Sequence, residues 1–176
     1  MWLELDVWSS DLELENKTPI NGVCLGAQLI ASAAGGDVEI LKYGSNPKAL
    51  PEIGWSQIFL NKSNKDFKEL FEDSFHVLHW HGDRISLPNK AVLIASSQRC
   101  KEQFFRIGKF AYGLQFHIET TGAMINKWIK EDKDFIFKGL GSNGQEILRE
   151  ETRKYRDKTF LKRKLLISKL FELLEN

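Results

Sequence analysis

The stretch Pro19-Ile20-Asn21-Gly22-Val23-Cys24-Leu25-Gly26-Ala27-Gln28-Leu29-Ile30-Ala31 decides how the rest of the sequence is read. Pro19 to Cys24 has the composition of a short strand, and Leu25 to Ala34 reads as a small-residue helix ended by Gly35-Gly36. The join falls at Cys24. Gly22-Val23-Cys24-Leu25-Gly26 has the G-x-nucleophile-x-G spacing of a nucleophile elbow, a sharp strand-to-helix turn that exposes the central side chain while flanking glycines relieve crowding. A thiol at a helix N-terminus feels the positive end of the macrodipole, which favours thiolate and raises nucleophilicity. The plainer reading is a small buried hydrophobe, because free cysteines are commonly buried; the strand before, the helix after and glycine at both flanks favour the nucleophile.

A sulfur nucleophile needs a proton carrier for its leaving group, and histidine is the usual one. His117-Ile118-Glu119 supplies an imidazole with an orienter. Residues two apart on a strand point the same way, so Glu119 is placed to fix the His117 tautomer and stabilise its cation, as in a triad. His79 and His81 share a strand face near Asp83, but no third ligand is evident at usual spacing, so neither a metal nor a cofactor is expected. His76 carries no motif. Cys100 follows Ser96-Ser97-Gln98-Arg99 in a loop and reads as structural.

Working outward, residues 1–16 mix apolar and acidic positions in the manner of an imperfect amphipathic helix. Strands are expected at 37–42, 53–60, 75–81 and 91–96, with Gly82-Asp83 closing the third. Ser63 and Asp66 form a capping-box-like opening for a short helix through about Phe71. Segments 104–107 and 111–117, separated by Gly108-Lys109, read as a hairpin. From Thr120 onward the pattern turns helical: near 121–132, from a capping box at Ser142 and Gln145 to about Arg156, and a final helix with Phe160, Leu161, Leu165, Leu166, Leu170, Phe171 and Leu174 on its apolar positions. Core packing against the sheet explains that last stripe. The Lys and Arg residues of 149–164 read as a solvated helix face.

A chain of 176 residues with 42% hydrophobic content suits one domain with a substantial core, an α/β part over 1–120 and a helical extension over 121–176. The formal net charge of +1 provides no field to recruit nucleic acid or an anionic membrane. Two cysteines are too few for a secreted disulfide framework and suit the cytoplasm. No apolar stretch approaches the roughly 20 residues that span a bilayer, and the first residues lack the features of a signal peptide. A small-molecule or protein partner is expected.

Four segments together resemble the class I glutamine amidotransferases, in particular stand-alone members similar to the glutaminase domain of GMP synthase. They are Gly22-Val23-Cys24-Leu25-Gly26-Ala27-Gln28, His79-Trp80-His81-Gly82-Asp83, Ala95-Ser96-Ser97 through Gln103-Phe104, and Tyr112-Gly113-Leu114-Gln115-Phe116-His117-Ile118-Glu119. The resemblance covers about residues 18–120 strongly and the helical tail weakly. It implies an open, mostly parallel, flavodoxin-like sheet flanked by helices, with the site at the carboxyl ends of strands. It further implies that Cys24 attacks the side-chain amide of glutamine to give a glutamyl thioester and ammonia, with His117 moving protons and Glu119 orienting it. Gln28 and the loop near Gln103 and Phe104 would hold substrate, and the Leu25 backbone N–H would be an oxyanion donor. Ammonia would pass to a synthetase partner. Family members begin with a βα lobe whose Gly-rich loop supplies a second oxyanion donor, and this sequence begins after the equivalent point, which implies a fragment, a short form, or pairing with another chain such as a second copy. A site lacking that donor would lose roughly 100-fold to 1000-fold in rate. Two alternatives use the same scaffold: a cysteine hydrolase of γ-glutamyl compounds, and a catalytically silent binding module.

Overall fold

Alternating and apolar segments set up a mixed sheet in the computed structural model, which describes residues 19–42, 44, 48–61, 64, 66–68, 70 and 75–175. The helix expected over 1–16 lies outside the described residues, as do Ser63, Lys65, Glu69 and Phe71 of the one expected from Ser63 to Phe71. Strand β1 (Ile20–Val23) leads into α1 (Leu25–Ala33), and β2 (Asp37–Ile40) follows. The next strands are β3 (Glu52–Leu60), β4 (Phe75–His81), β5 (Asp83–Ser86), β6 (Ala91–Ser96), β7 (Phe104–Ile107) and β8 (Ala111–Leu114). Helices α2 (Gly122–Glu131), α3 (Lys133–Leu140), α4 (Gly144–Tyr155) and α5 (Phe160–Glu175) complete the order. Among the described residues, no helix is long and apolar enough to cross a membrane.

Six strands form one sheet in the order β1-β8-β7-β6-β3-β4, while β2 and β5 pair separately. The α/β character with flanking helices is as expected, but the sheet is not mostly parallel among the described residues. Only β1 and β8 run parallel; every other pairing is antiparallel. Connection length explains the difference. Tight turns such as Gly108-Lys109 can only join antiparallel neighbours, whereas β1 and β8 are joined through most of the intervening chain. The sheet also curls: the His117 N–H donates to the Leu78 carbonyl at 2.8 Å, so the chain leaving β8 meets the far strand β4.

Three apolar clusters follow from this curl. Phe75, Val77, Phe104 and Phe116 fill the inside of the sheet, capped by Leu166 and Leu170 of α5. Ile53, Trp55 and Leu78 pack outward against Ile125, Ile136 and Leu148 of α2, α3 and α4. Ala27, Ile30 and Ala31 of α1 pack on Ile85, Phe105 and Ala111. Full burial of a side chain such as Ile or Phe contributes about 1.5–3 kcal/mol, so these clusters dominate the stability. The apolar stripe of α5 is only partly used: Phe160, Leu161, Leu165 and Phe171 remain exposed.

Local differences from the sequence reading have identifiable causes. Gly82 closes β4 at His81 as expected, but Asp83 opens a further strand, β5, that pairs with β2 and was not expected. Helix α3 was not expected; it follows α2 directly, with Asp132 ending one and starting the other without a side-chain cap. The Ser142–Gln145 capping box does not form, since Asn143 is the N-cap of α4 and makes no capping bond. Residues 115–117 are not strand, so β8 stops at Leu114 rather than running to His117.

Of the two glycines flanking Cys24, only Gly22 relieves a close approach. A Cβ there would lie 2.4 Å from the Gly26 carbonyl carbon and 2.7 Å from the Ala27 nitrogen, both immobile backbone, whereas one at Gly26 meets nothing within 4 Å. Gly22→Ala should therefore lower stability by about 1–3 kcal/mol, and Gly26→Ala should be neutral or stabilising by up to about 1 kcal/mol through helix propensity. Thermal denaturation of the two variants beside the parent checks the contrast; equal melting temperatures would refute it.

Candidate active site

Strand β1 delivers Cys24 into a strained turn. Its φ of 52° and ψ of −105° make it the sole non-glycine residue with positive φ among the described residues. Such a conformation costs of order 1–3 kcal/mol and persists only where the surroundings enforce it. Two backbone bonds do so: the Cys24 N–H donates to the Leu114 carbonyl at 2.7 Å, and the Gln28 N–H donates to the Cys24 carbonyl at 3.1 Å. The side chain is thereby lifted off the first turn of α1, and Leu25 heads that helix, where backbone N–H groups have no intrahelical acceptor.

The parallel register Val23↔Leu114 brings the ends of β1 and β8 out side by side. Just past β8, Gln115 Nε2 lies 3.8 Å from Cys24 Sγ, and its Oε1 accepts from Gln28 Nε2 at 3.4 Å. Trp80 of β4 closes the other flank, its carbonyl 3.9 Å from the sulfur. His117 is buried, interacts electrostatically with Cys24, and is fixed from behind by Glu119 Oε1 at 2.7 Å from its Nδ1. An Nδ1–H donating to the carboxylate leaves Nε2 for the sulfur. The Trp128 ring of α2 stands edge-on to the imidazole, centroids 5.0 Å apart.

Electrostatics match this geometry. Burial works against a charged His117, but its bonds to Cys24 and Glu119 and their charges outweigh that cost and push it up to about 9. Burial likewise opposes ionisation of Glu119, yet the hydrogen bond and charge of His117 hold it below the usual carboxylate range. Cys100 is the opposite case: buried at 2% exposure, its thiol is driven up to about 12 by desolvation.

Of the expected substrate-contacting residues, Leu25 and Gln28 lie beside Cys24, and Gln28 reaches the sulfur through Gln115. Gln103 and Phe104 do not join them. The Phe104 ring is wholly in the core against Phe67 and Phe116, because its position on β7 points it inward. Gln103 is wholly buried in a separate polar cluster, its Nε2 donating to Glu52 Oε2 at 2.8 Å with His81 Nε2 at 3.3 Å. The residues overlooked in the sequence are Gln115, Trp80 and Trp128; the first two sit inside the quoted motifs, where alternation alone does not separate site from core.

That polar cluster contains the third ligand-type group missing from the sequence reading. Glu52, His79 and His81 bring ligand atoms within 4.8 Å of one another, all buried, because the register of β3 on β4 sets Glu52 opposite His81. These are the residues that could hold a divalent cation. The Gln103 amide already supplies N–H to Glu52 and His81, and His81 Nδ1 lies 2.8 Å from the Asp83 carbonyl. Burial lowers His79 to about 4, so it is neutral there. Hydrogen bonds from Gln103 thus hold Glu52 and His81, while both ring nitrogens of His79 are buried without a hydrogen-bond partner among the described residues.

A curled α/β sheet with a strained cysteine turn facing a His–Glu pair is the class that the fold and geometry define. The family model for glutamine amidotransferase class-I matches residues 9–136. The glutamine amidotransferase-like protein YfeJ of Salmonella typhimurium is 34% identical over 123 residues, 68% of this chain and 48% of that protein. A GMP synthase [glutamine-hydrolyzing] of Cytophaga hutchinsonii is 34% identical over 121 residues, 66% of this chain and 22% of that one. The crystal structure of a glutamine amidotransferase from Thermotoga maritima superposes with a TM-score of 0.77 at 32% identity, over 99% of this chain and 70% of that one. This chain belongs to the class I glutamine amidotransferase family. It spans half or less of the length of these two curated relatives, 48% and 22%.

The two cysteines should separate cleanly in reactivity. At neutral pH iodoacetamide is expected to label Cys24 and leave Cys100 unmodified in the folded protein, read by peptide mass mapping. Equal labelling of both would contradict the site's exposure and the burial of Cys100.

Proposed function

We propose that this chain is a glutamine-hydrolysing amidotransferase domain in which Cys24, His117 and Glu119 form the catalytic triad. The observation that carries the reading is the His117–Glu119 bond at 2.7 Å, in an imidazole whose proton affinity the Cys24 sulfur also raises. The Cys24 sulfur bonds to the side-chain amide carbon of glutamine while the proton of the Cys24–His117 pair sits on His117, and the Leu25 N–H stabilises the resulting oxyanion. His117 then protonates the amide nitrogen, the C–N bond breaks, and ammonia leaves a glutamyl thioester. Water attacks that thioester with His117 as base, the C–S bond breaks, and the proton remains with the Cys24–His117 pair as glutamate departs. Glu119 holds the imidazole in the required tautomer throughout. A relative from Methanocaldococcus jannaschii, 33% identical over 113 residues, bears the name of one component chain of a glutamine-hydrolyzing GMP synthase, which supports delivery of ammonia to a partner chain.

Ammonia release from glutamine by the purified chain tests this reading. Cys24→Ala should abolish it and His117→Ala should reduce it by roughly 100-fold to 10,000-fold. Release that survives in Cys24→Ala would overturn the assignment, and faster turnover of γ-glutamyl dipeptides than of glutamine would move the substrate class.

The pH profile is a separate test. His117 must carry a proton when the C–N bond breaks, so the rate should fall as pH rises through about 9. Because Glu119 raises the imidazole, Glu119→Gln should move that descending limb to lower pH; a limb that does not move would contradict the role given to Glu119.

A further inference from the structure

Among the basic residues of 149–164, Arg163 breaks the expectation of a solvated face. It lies near the start of α5 and is only 5% exposed. Its Nη1 donates to the Ile118 carbonyl at 3.0 Å and to the Thr120 carbonyl at 3.1 Å, while Nη2 donates to the Arg156 carbonyl at 3.1 Å. Ile118 and Thr120 flank Glu119 directly. One prong of the planar guanidinium fork therefore grips the backbone on both sides of the residue that bonds His117, and the other prong anchors it to the Arg156 carbonyl.

The physical need for this grip is clear. Past Leu114 the chain has left the ladder of β8, so the Ile118 and Thr120 carbonyls have no strand to accept from, and a buried carbonyl without a donor costs about 1–3 kcal/mol. Arginine answers both carbonyls from one rigid group; a lysine ammonium is a point charge without that fork. Nor does Arg163 form a salt bridge within 4 Å among the described residues: Glu119, Arg156 and Asp157 are the charged groups that act on it, Glu119 and Asp157 as attractions. Its stem also places the guanidinium 5.8 Å from the Trp55 ring. Beside the fork lies a cavity of about 370 Å³ bordered by Glu119, Thr121, Phe160 and Ile167, room into which an unrestrained segment can relax.

We propose that Arg163 is a positioning residue, whose two bonds to the Ile118 and Thr120 carbonyls, anchored by a third to the Arg156 carbonyl, fix the Ile118–Thr120 segment so that Glu119 stays within hydrogen-bonding reach of His117. The seating of α5 on the sheet is thereby coupled to the competence of the site. The inference rests on the reading of Glu119 as the orienter of His117, and its test separates the two.

The readout is the titration of the His117 ring by NMR in the whole chain, with its signal assigned by loss in His117→Asn. The groups that face the imidazole are Cys24 and Glu119, with His79 at longer range. Glu119→Gln should lower the midpoint by about one unit or more. Arg163→Met should lower it in the same direction, and Arg163→Lys should resemble the methionine variant because the charge is kept and the fork is lost. Arg163→Gln, which retains an amide donor, replaces the methionine variant if that one does not fold. A midpoint unchanged in folded Arg163 variants but lowered in Glu119→Gln would overturn this proposal alone. A midpoint unchanged in Glu119→Gln would overturn the orienter role and the proposal with it.

Discussion

The parallel pairing of β1 with β8 is the constraint on which the site depends. It is the one parallel pair among the described strands, and it makes two segments distant in sequence end at the same place. The bond from the Cys24 N–H to the Leu114 carbonyl continues the ladder one residue past β1 and holds the turn that contains the sulfur. Had β1 paired in the opposite sense, Cys24 and His117 would emerge at opposite ends of the sheet. The curl then adds a third element, because β4 reaches the chain beyond β8 through Leu78 and brings the Trp80 carbonyl to the sulfur.

Strain and burial divide the work between positions. The backbone at Cys24 is held in a conformation that its own side chain disfavours, and the close packing of Gly22 on the start of α1 supplies part of the restraint. Behind it, two buried polar groups of different character serve different ends. The Glu52, His81 and Gln103 cluster is tied together by the Gln103 amide N–H groups inside the core. The His117 and Glu119 pair instead leaves one ring nitrogen free for the sulfur, at the boundary between core and solvent.

Much of this was legible in the sequence. Glycine spacing around Cys24 located the turn, and the alternation in Phe75-His76-Val77-Leu78-His79-Trp80-His81 located β4 with its bounds. Strand direction was not legible, because alternation reports which face is buried and says nothing of which neighbour pairs or in what sense. For the same reason Glu52 could not be matched to His81 before the register was known. Resemblance alone marks Phe104 as a binding residue, whereas its inward position on β7 puts it in the core. Arg163 was hidden by composition: among so many lysines and arginines, nothing local distinguishes the one that turns inward to bind carbonyls.

The central claim is that the Cys24 sulfur becomes covalently bonded to the glutamyl carbon during turnover. Acid quenching of the protein while it turns over glutamine, followed by peptide mass mapping, tests it most directly. A glutamyl group on the peptide containing Cys24, and on no other, is the predicted result. Ammonia production with no adduct on that peptide, or with the adduct elsewhere, would contradict the account.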